Sequence, residues 1–231
     1  MAYLFETEDH AAIRASTRRF AEAHVAPFGA AWEEDEEFPA ELYRTAASAG
    51  LTGIGYPEAM GGQGGDLSHV LVASDELIHA GRSVGTAVGL GSHGIALPPI
   101  VRFGTPEQQR RFVTPCLTEG KIAALAVTEP GGGSDVAALA TRAERDGDHY
   151  VVTGTKTFIT SGARADLVTC AVRTGGPGHG GIRCSDRCSA RRTNSATAPA
   201  ARTASSSVTQ STSRPGMRSP NEPGRCPNSG R

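Results

Sequence analysis

The last 49 residues of this 231-residue chain lack lysine and every aromatic side chain. Their only large apolar residues are Val208 and Met217, against ten serines and five prolines. Such a segment buries too little apolar surface to offset the conformational entropy lost on folding, which excludes a packed core there. The chain also has no apolar run of 18 residues and no secretory signal at its start. These absences predict a soluble, cytoplasmic protein that does not span a membrane.

Cysteine does not form a metal-binding pattern either. Cys184 and Cys188 are spaced like one half of a zinc site, but no second pair of Cys or His follows at ligand distance. The remaining cysteines, Cys116, Cys170 and Cys226, are scattered. We therefore expect no metal, and in the cytosol we expect the thiols to be reduced.

Charge is divided unevenly along the chain. Residues 183–231 contain nine arginines and only Asp186 and Glu222 as acids, a formal charge of +7, whereas residues 1–182 carry −8. An out-of-frame reading of a G+C-rich gene gives such a composition, and this is our leading interpretation of a tail predicted to be disordered. The alternative is a basic Ser/Arg-rich arm that binds nucleic acid. The lack of aromatic side chains for base stacking disfavours that alternative.

Residues 1–120 have a helical pattern. Capping residues, first-turn prolines and terminal glycines mark the expected helix ends. Gly81, Gly85 and Gly89 are four residues apart, so one helix would stack them on one face for close packing. The expected helices begin near Thr7, Ala40, Asp66 or Ser68, and Thr105.

After Gly120 the apolar period changes from that of a helix to that of a strand. An Asp-Gly pair at Asp146 predicts a hairpin turn. The sequence therefore predicts an α+β fold, with a helical domain at residues 1–120, a truncated antiparallel β domain at 121–182 and the tail at 183–231. The expected strands are Ile122–Val127, Tyr150–Val152, Thr157–Ile159 and Leu167–Val172.

Two motifs in the β part carry the chemical signal. The first, Thr128–Asp135, reads Thr-Glu-Pro-Gly-Gly-Gly-Ser-Asp, and the second, Gly154–Thr160, reads Gly-Thr-Lys-Thr-Phe-Ile-Thr. Glycine lets a ligand approach the main chain closely, and successive N–H groups in such a turn can hold an anion. Asp135 is expected to cap the turn rather than to act in catalysis.

These motifs, together with Gly104–Gln109, Pro115–Gly120 and the loop Tyr56–Gly62, resemble the ordered signature of the acyl-CoA dehydrogenase family. The resemblance covers residues 1–182. It implies FAD as cofactor and α,β-dehydrogenation of an acyl-CoA thioester, in which a carboxylate removes the α-proton and hydride leaves the β-carbon for the flavin. For an intact member it also implies electron transfer to electron-transfer flavoprotein and assembly as a homo-oligomer.

The resemblance also implies individual roles. The Ser134 hydroxyl is expected to donate near both the cofactor and the acyl-CoA, which makes it the one implied substrate-binding residue. Phe158 is expected to pack against the flavin where many members have Trp, keeping the apolar wall but losing an N–H donor. The implied cofactor-binding residues are Leu125, Val127, Thr128, Gly133, Ser134, Phe158, Ile159 and Thr160.

No catalytic residue is assigned. In the family the base is a carboxylate of a C-terminal helical domain, which the resemblance does not reach. Glu129 belongs to the flavin signature and is not expected to be the base, and isolated histidines such as His69, His79 and His93 are expected to be structural. Two other functions stay open: a flavin-dependent monooxygenase or nitroalkane oxidase on the same scaffold, and a non-enzymatic fragment with a basic tail that binds nucleic acid.

Overall fold

The structure is a computed structural model that describes residues 5–147, 149–185 and 204–209. Within the tail predicted to be disordered, residues 186–203 and 210–231 therefore lie outside the described residues. The same holds for the arginine-rich stretches on which the nucleic-acid alternative depends.

The first part of the chain is helical, as predicted. At three expected starts the capping residue is in place: Thr7 N donates to His10 Nδ1 over 3.2 Å, Asp66 accepts from Ser68 N over 2.9 Å, and Thr105 accepts from Gln108 N over 3.2 Å. The helices are α1 (Glu8–His24), α2 (Gly29–Glu34), α3 (Glu41–Ser48), α4 (Leu67–Gly81), α5 (Val84–Leu90), α6 (His93–Ala96), α7 (Pro98–Phe103), α8 (Pro106–Gln108) and α9 (Thr114–Thr118), with a π-helical turn at Gln109–Val113.

The three spaced glycines do not lie on one continuous helix. Helix α4 ends at Gly81, Arg82 takes a left-handed conformation (φ 54°), and Ser83 caps α5. The expected close packing is nevertheless present, since a Cβ added to Gly89 would lie 2.5 Å from the Phe38 ring. The spacing predicted the close contact, but Arg82 and Ser83 divide the helix, because Ser83 prefers to cap a new helix over continuing the old one.

The segment Val84–Phe103 is, by length and composition, apolar enough to be considered as a membrane span, with a mean hydropathy of 1.3. In the fold it is divided among α5, α6 and α7, whereas a spanning helix runs unbroken for about 20 residues. Of its large apolar side chains, Leu90, Leu97 and Ile100 are buried in the protein, whereas Val84, Val88, Ile95 and Phe103 are exposed. The segment therefore contributes one side to the core of the helical layer.

The second part of the chain forms one six-stranded sheet. Its strands are β1 (Ala123–Ala126), β2 (Arg142–Asp146), β3 (His149–Ile159), β4 (Leu167–Arg173), β5 (Ile182–Ser185) and β6 (Ala204–Thr209). They lie in the order β1-β4-β2-β3-β6, and β5 also pairs with β4. Hairpin neighbours β2 and β3 are antiparallel, which confirms the Asp-Gly turn.

The α+β order is confirmed, but the sheet is mixed rather than purely antiparallel. Strand β4 pairs in parallel with β1, from Ala123 opposite Leu167 to Ala126 opposite Cys170, and touches β2 in parallel at one position. After the β2–β3 hairpin the chain crosses back and inserts β4 between β1 and β2. A crossover of this kind, unlike a hairpin, brings strands together in parallel, and strand periodicity alone does not reveal it.

The two runs predicted at Tyr150–Val152 and Thr157–Ile159 belong to one strand, β3. Gly154 lies between them within the strand. It packs closely on the neighbouring chain segment, since a Cβ there would lie 2.5 Å from Thr141 Oγ1. A glycine read as an interruption is thus a point of close approach within a continuous strand.

Two strands lie at or beyond the predicted end of the folded part. Strand β5 begins at Ile182, the expected boundary, and β6 falls inside the stretch predicted to be disordered. The main chain of β6 pairs antiparallel with β3, from Thr153 opposite Thr209 to Ile159 opposite Ala204. The disorder prediction is corrected for β6, because strand pairing uses main-chain groups and needs no apolar period in the added strand.

The helical layer packs on the first strands of the sheet. One buried cluster combines helical residues such as Leu97 and Leu117 with Ala123 of β1 and Leu167 of β4. The change from helix to sheet occurs between Thr118 and Ala123. The division into domains at residues 1–120 and 121–182 stays a prediction of the sequence.

Gly120 is the position at which this junction is most sensitive to substitution. Its φ is +69°, and an added Cβ would lie 2.5 Å from Arg44 N. We expect Gly120→Ala to lower the free energy of unfolding by about 2–4 kcal/mol, because left-handed strain and a clash with main chain act together. Gly94→Ala is the matched control, since nothing lies within 4 Å of its added Cβ. Urea denaturation of both variants checks this, and equal stability of the two would contradict it.

Candidate functional site

A buried ion pair joins the two motifs. Lys156 of β3 donates from Nζ to Glu129 Oε1 over 2.9 Å, and the two side chains are only 1% and 10% exposed. The same Nζ donates to Val127 O over 2.8 Å. A charge removed from water to this extent requires a partner, so Glu129 and Lys156 determine each other's position.

Glu129 is fully engaged as a hydrogen-bond acceptor. Its Oε1 accepts from Thr141 N (2.9 Å) and Thr141 Oγ1 (2.5 Å), and its Oε2 accepts from Ala140 N over 2.7 Å. Burial opposes ionisation of this carboxyl, but the bonds from Thr141, Ala140 and Lys156 outweigh it and lower the pKa of Glu129 to about 2. A carboxylate held in this way is a poor proton acceptor at neutral pH.

A main-chain hydrogen bond also brings the two motifs side by side. Thr157 N donates to Thr128 O over 2.9 Å. Thr128 and Val127 are both half-buried, next to the strand that leads to Phe158. The structure thus brings the first motif's Thr-Glu and the second motif's Lys-Thr together, although they lie 27 to 29 residues apart in sequence.

The glycine turn of the first motif is exposed and uncrowded. Gly131, Gly132 and Gly133 are all exposed, and no heavy atom of the described residues lies within 4 Å of a Cβ built on any of them. None of the three has a positive φ. Neither the conformation of the turn nor its packing within the described residues requires glycine at these positions.

The end of this turn behaves as the sequence predicts. Asp135 Oδ1 accepts from Ala137 N over 3.1 Å, which confirms its expected role as a turn cap. Ser134 is exposed, and Val136 N donates to Ser134 O over 3.0 Å. The Ser134 side chain therefore lies at the surface beside the glycines.

The last three predicted residues of the second motif point in different directions. Phe158 is 69% exposed with a positive φ of 57°, which is unusual for an aromatic residue, and Thr160 is also exposed. Ile159 between them is 3% exposed and belongs to a core cluster with Val152 and Val172. Only the main chain of Ile159 is available to a ligand at this site.

Leu125 is likewise separated from the exposed residues. It is half-buried and packs against the cluster that joins the helices to the sheet, whereas its neighbours Ala124 and Ala126 face the other cluster. This alternation is that of an ordinary strand. Gly133, Ser134, Phe158 and Thr160 are exposed, whereas the side chains of Leu125 and Ile159 pack in the interior.

Sequence reasoning missed the side chains that hold this region in place. Arg173, at the end of β4, donates to Leu139 O (2.8 Å), Ala137 O (2.6 Å), Gly176 O (2.6 Å) and Gly178 O (3.0 Å). The guanidinium thereby ties the segment after the glycine turn to the loop after β4. The only signal in the sequence for such side chains is a charged residue in an apolar strand, as with Arg173 at the end of β4 and Lys156 inside β3.

Two of the histidines considered as bases, His69 and His93, have structural contacts. Burial lowers the pKa of His93, whose Nδ1 lies 2.9 Å from Leu90 O. His69 lies 2.9 Å from Asp66 at the start of α4 and stacks on His10, with ring centroids 3.9 Å apart. The ligand atoms of His10, Asp66 and His69 lie within 4.8 Å of one another, but both histidines already form part of helix caps.

Comparison with known families agrees with this arrangement. The N-terminal domain model of the acyl-CoA dehydrogenases matches residues 7–120, and their middle domain model matches residues 124–185. The chain belongs to the acyl-CoA dehydrogenase family. This family uses FAD, and the second matched range contains both motifs of the candidate site.

Individual relatives show how far the likeness extends. Mitochondrial isobutyryl-CoA dehydrogenase of Dictyostelium discoideum is 35% identical over 77% of this chain and 42% of its own length. A crystal structure assigned as an acyl-CoA dehydrogenase from Mycobacterium smegmatis is 44% identical, with a TM-score of 0.83, over 90% of this chain and 56% of that one. A glutaryl-CoA dehydrogenase from Mycobacterium smegmatis in complex with FADH2 is 25% identical, with a TM-score of 0.75, over 90% and 54%.

This family member therefore spans about two fifths of the length of the curated relative and somewhat over half of the solved chains. The matched part contains the helical layer and the sheet with its two motifs. Statements about the activity of a whole enzyme consequently go beyond the matched part.

The low pKa of Glu129 gives a testable pH dependence. Because its pKa lies near 2 in the folded chain and at about 4.5 when unperturbed, ionised Glu129 stabilises the fold above pH 4.5, and this contribution is lost as the pH falls toward 2. We expect Glu129→Gln to lower the free energy of unfolding by about 2–4 kcal/mol at pH 7 and by much less at pH 2.5.

Urea titrations at both pH values measure this difference. Glu144→Gln, on the exposed part of β2, is the control and is expected to change stability by no more than about 0.5 kcal/mol at pH 7. A deficit in Glu129→Gln that is equally large at pH 7 and pH 2.5 would show that the carboxylate is not the stabilising species.

Proposed function

We propose that the exposed residues of the two motifs, which the Lys156–Glu129 pair joins, bind FAD. The observation that carries the proposal is the glycine turn, where Gly131–Gly133 need no glycine for φ or for packing but leave bare main chain at the surface. Glycines that neither backbone angle nor packing accounts for leave room for a ligand to approach the main chain closely. Membership of an FAD-dependent family supports FAD as that ligand.

The second motif provides the complementary side of the proposed site. Phe158 holds a large apolar ring in water at a costly backbone angle, and a flat aromatic cofactor would cover it. In this proposal Thr128, Ser134 and Thr160 supply polar contacts, Gly133 allows close approach, and Val127 lies at the edge. Leu125 acts from beneath through packing, and Ile159 acts only through its main chain, because both side chains face the interior.

For the whole protein we propose α,β-dehydrogenation of acyl-CoA thioesters. Bound FAD would accept the hydride, which carries two electrons and one proton. Ser134, exposed next to the glycine turn, is the proposed contact to the acyl-CoA. An intact member would pass electrons to electron-transfer flavoprotein and form a homo-oligomer, and we propose a cytoplasmic location. No observation in the described residues favours a monooxygenase, a nitroalkane oxidase or a nucleic-acid-binding fragment.

The carboxylates that flank the two motifs are already in use. Glu129 accepts from Lys156, Thr141 and Ala140, as described above. Asp135 caps its own turn, and Asp166 accepts from Ile122 N over 2.9 Å. A general base must be free to take a proton from substrate, so we propose that the base is supplied from outside residues 5–147 and 149–185.

FAD binding should depend on the glycine turn without a matching effect on stability. We expect Gly133→Ala to leave the free energy of unfolding within about 0.5 kcal/mol of wild type, because the added methyl meets open space. It should nevertheless weaken FAD binding about tenfold or more, because the methyl occupies space that the ligand needs. Calorimetric titration with FAD and urea denaturation measure the two quantities on the same preparation.

Gly94→Ala, also uncrowded but located in α6, is the control and should change neither quantity appreciably. A second variant carries both Thr128→Ala and Ser134→Ala, and each lost hydrogen bond should weaken binding by roughly a further 5-fold. A tight FAD site that survives both Gly133→Ala and the double substitution would place the cofactor elsewhere on the chain.

The 231-residue chain should have no appreciable dehydrogenase activity. The reason is that the proposed base lies outside residues 5–147 and 149–185. General acid–base catalysis contributes roughly 10²–10⁴-fold in rate, and the positioning of an acyl chain adds more. The assay follows anaerobic bleaching of FAD-reconstituted protein after addition of acyl-CoA substrates of several chain lengths. Rapid substrate-dependent bleaching would reverse the conclusion, and Glu129→Gln, Asp135→Asn and Asp166→Asn would then identify the base.

A further inference from the structure

The loop after β3 is joined to the helical layer by a buried hydroxyl. Tyr43 of α3 is 2% exposed, and its hydroxyl donates to Gly89 O of α5 over 2.8 Å. The Tyr43 and Ser161 oxygens are 3.0 Å apart. Since a phenol has one proton and Gly89 O takes it, Ser161 donates to Tyr43 in this arrangement. One hydroxyl thus connects α3, α5 and the loop.

Arg164 forms a second connection at the same place. Its Nη1 donates to Phe38 O over 2.8 Å, and its guanidinium carbon lies 4.0 Å from the centroid of the Phe38 ring. Nη2 also reaches the Tyr43 hydroxyl over 3.4 Å. The planar guanidinium therefore stacks on one aromatic side chain and donates to the main chain that carries it, a combination that an ammonium group cannot reproduce.

The segment between these contacts and the sheet is under backbone strain. Phe158 and Ser161 both have positive φ, 57° and 60°, although neither is glycine. Residues persist in this region only where surrounding contacts hold them. On one side Ile159 is buried in the sheet cluster, and on the other side the loop is held by Tyr43 and Arg164.

We propose that Tyr43, Ser161 and Arg164 form a latch that holds residues 158–164 against the helical layer and so positions the main chain around Phe158 and Thr160. The three are positioning residues, since the exposed side chains of Phe158 and Thr160 face the proposed ligand. Their consequence for FAD binding rests on the proposed function. The latch itself rests only on the contacts between α3, α5 and the loop.

Tyr43→Phe removes one hydroxyl and leaves the packing of the ring in place. Two loop amides report on the latch in the absence of cofactor: Gly162 N, which donates to Ile159 O over 2.9 Å, and Arg164 N, which donates to Ser161 O over 3.1 Å. We expect Tyr43→Phe to speed hydrogen exchange at both amides roughly 5-fold or more, because the loop loses the bonds of Ser161 and Arg164 to the Tyr43 hydroxyl. The dissociation constant for FAD should rise by a similar factor.

Tyr56→Phe is the matched control. Tyr56 also donates to a main-chain carbonyl, that of His93 over 3.3 Å, but has no contact with the loop, so exchange at Gly162 and Arg164 should be unchanged. Ser161→Ala removes only the bond between Ser161 and Tyr43, so it should speed exchange in the same way but by no more than Tyr43→Phe. The double variant should add little to Tyr43→Phe, which already lacks that bond. In Arg164→Lys, the amides of residues 162 and 164 should be less protected from exchange than in the wild-type chain.

Unchanged exchange at Gly162 and Arg164 in both Tyr43→Phe and Ser161→Ala would overturn the latch. Faster exchange with an unaltered dissociation constant for FAD would overturn its positioning role. If the wild-type chain binds no FAD, the proposed function fails, and the exchange rates of the cofactor-free protein still decide whether the latch exists.

Discussion

The buried pair of Lys156 and Glu129 is the interaction on which the arrangement of the site depends. A lysine inside β3 has almost no access to water, and the nearest carboxylate lies in the turn that follows β1. Because leaving either charge unpaired in the interior is strongly unfavourable, the turn and the strand are held together. The same pairing engages the Glu129 oxygens, so the most obvious acid of the motif is used for structure rather than for chemistry.

The surrounding loops are held by a related device. Arg173 donates to four main-chain carbonyls, Arg164 donates to Phe38 O, and Tyr43 donates to Gly89 O. Donors of this kind fix the course of the main chain without filling the surface above it. The exposed residues of the two motifs are small or flat, namely the three glycines, Ser134, Thr160 and the Phe158 ring. Rigid support beneath a bare surface is what a preorganised cofactor site requires.

The parts of the fold that were predicted correctly depend on short-range chemistry. Thr7, Asp66 and Thr105 begin helices because their side chains satisfy main-chain groups two or three residues away, and Asp146-Gly147 makes the hairpin for a similarly local reason. The helix break at Arg82 and the continuous strand through Gly154 were not predicted. Ser83 can continue a helix or cap a new one, and Gly154 can interrupt a strand or continue it. Packing of distant segments, such as Gly89 against Phe38 and Gly154 against Thr141, selects between these conformations.

The sequence by itself determined the family, the order of helices before strands and the two motifs, because caps, turns and apolar periods are encoded within a few residues. Only the tertiary structure decided that β4 inserts beside β1 in parallel, that Lys156 pairs with Glu129, and that Ile159 and Leu125 face the interior while Phe158 faces water. These features arise between segments tens of residues apart. Desolvation and packing select them together once the chain is compact, and no local pattern carries that information.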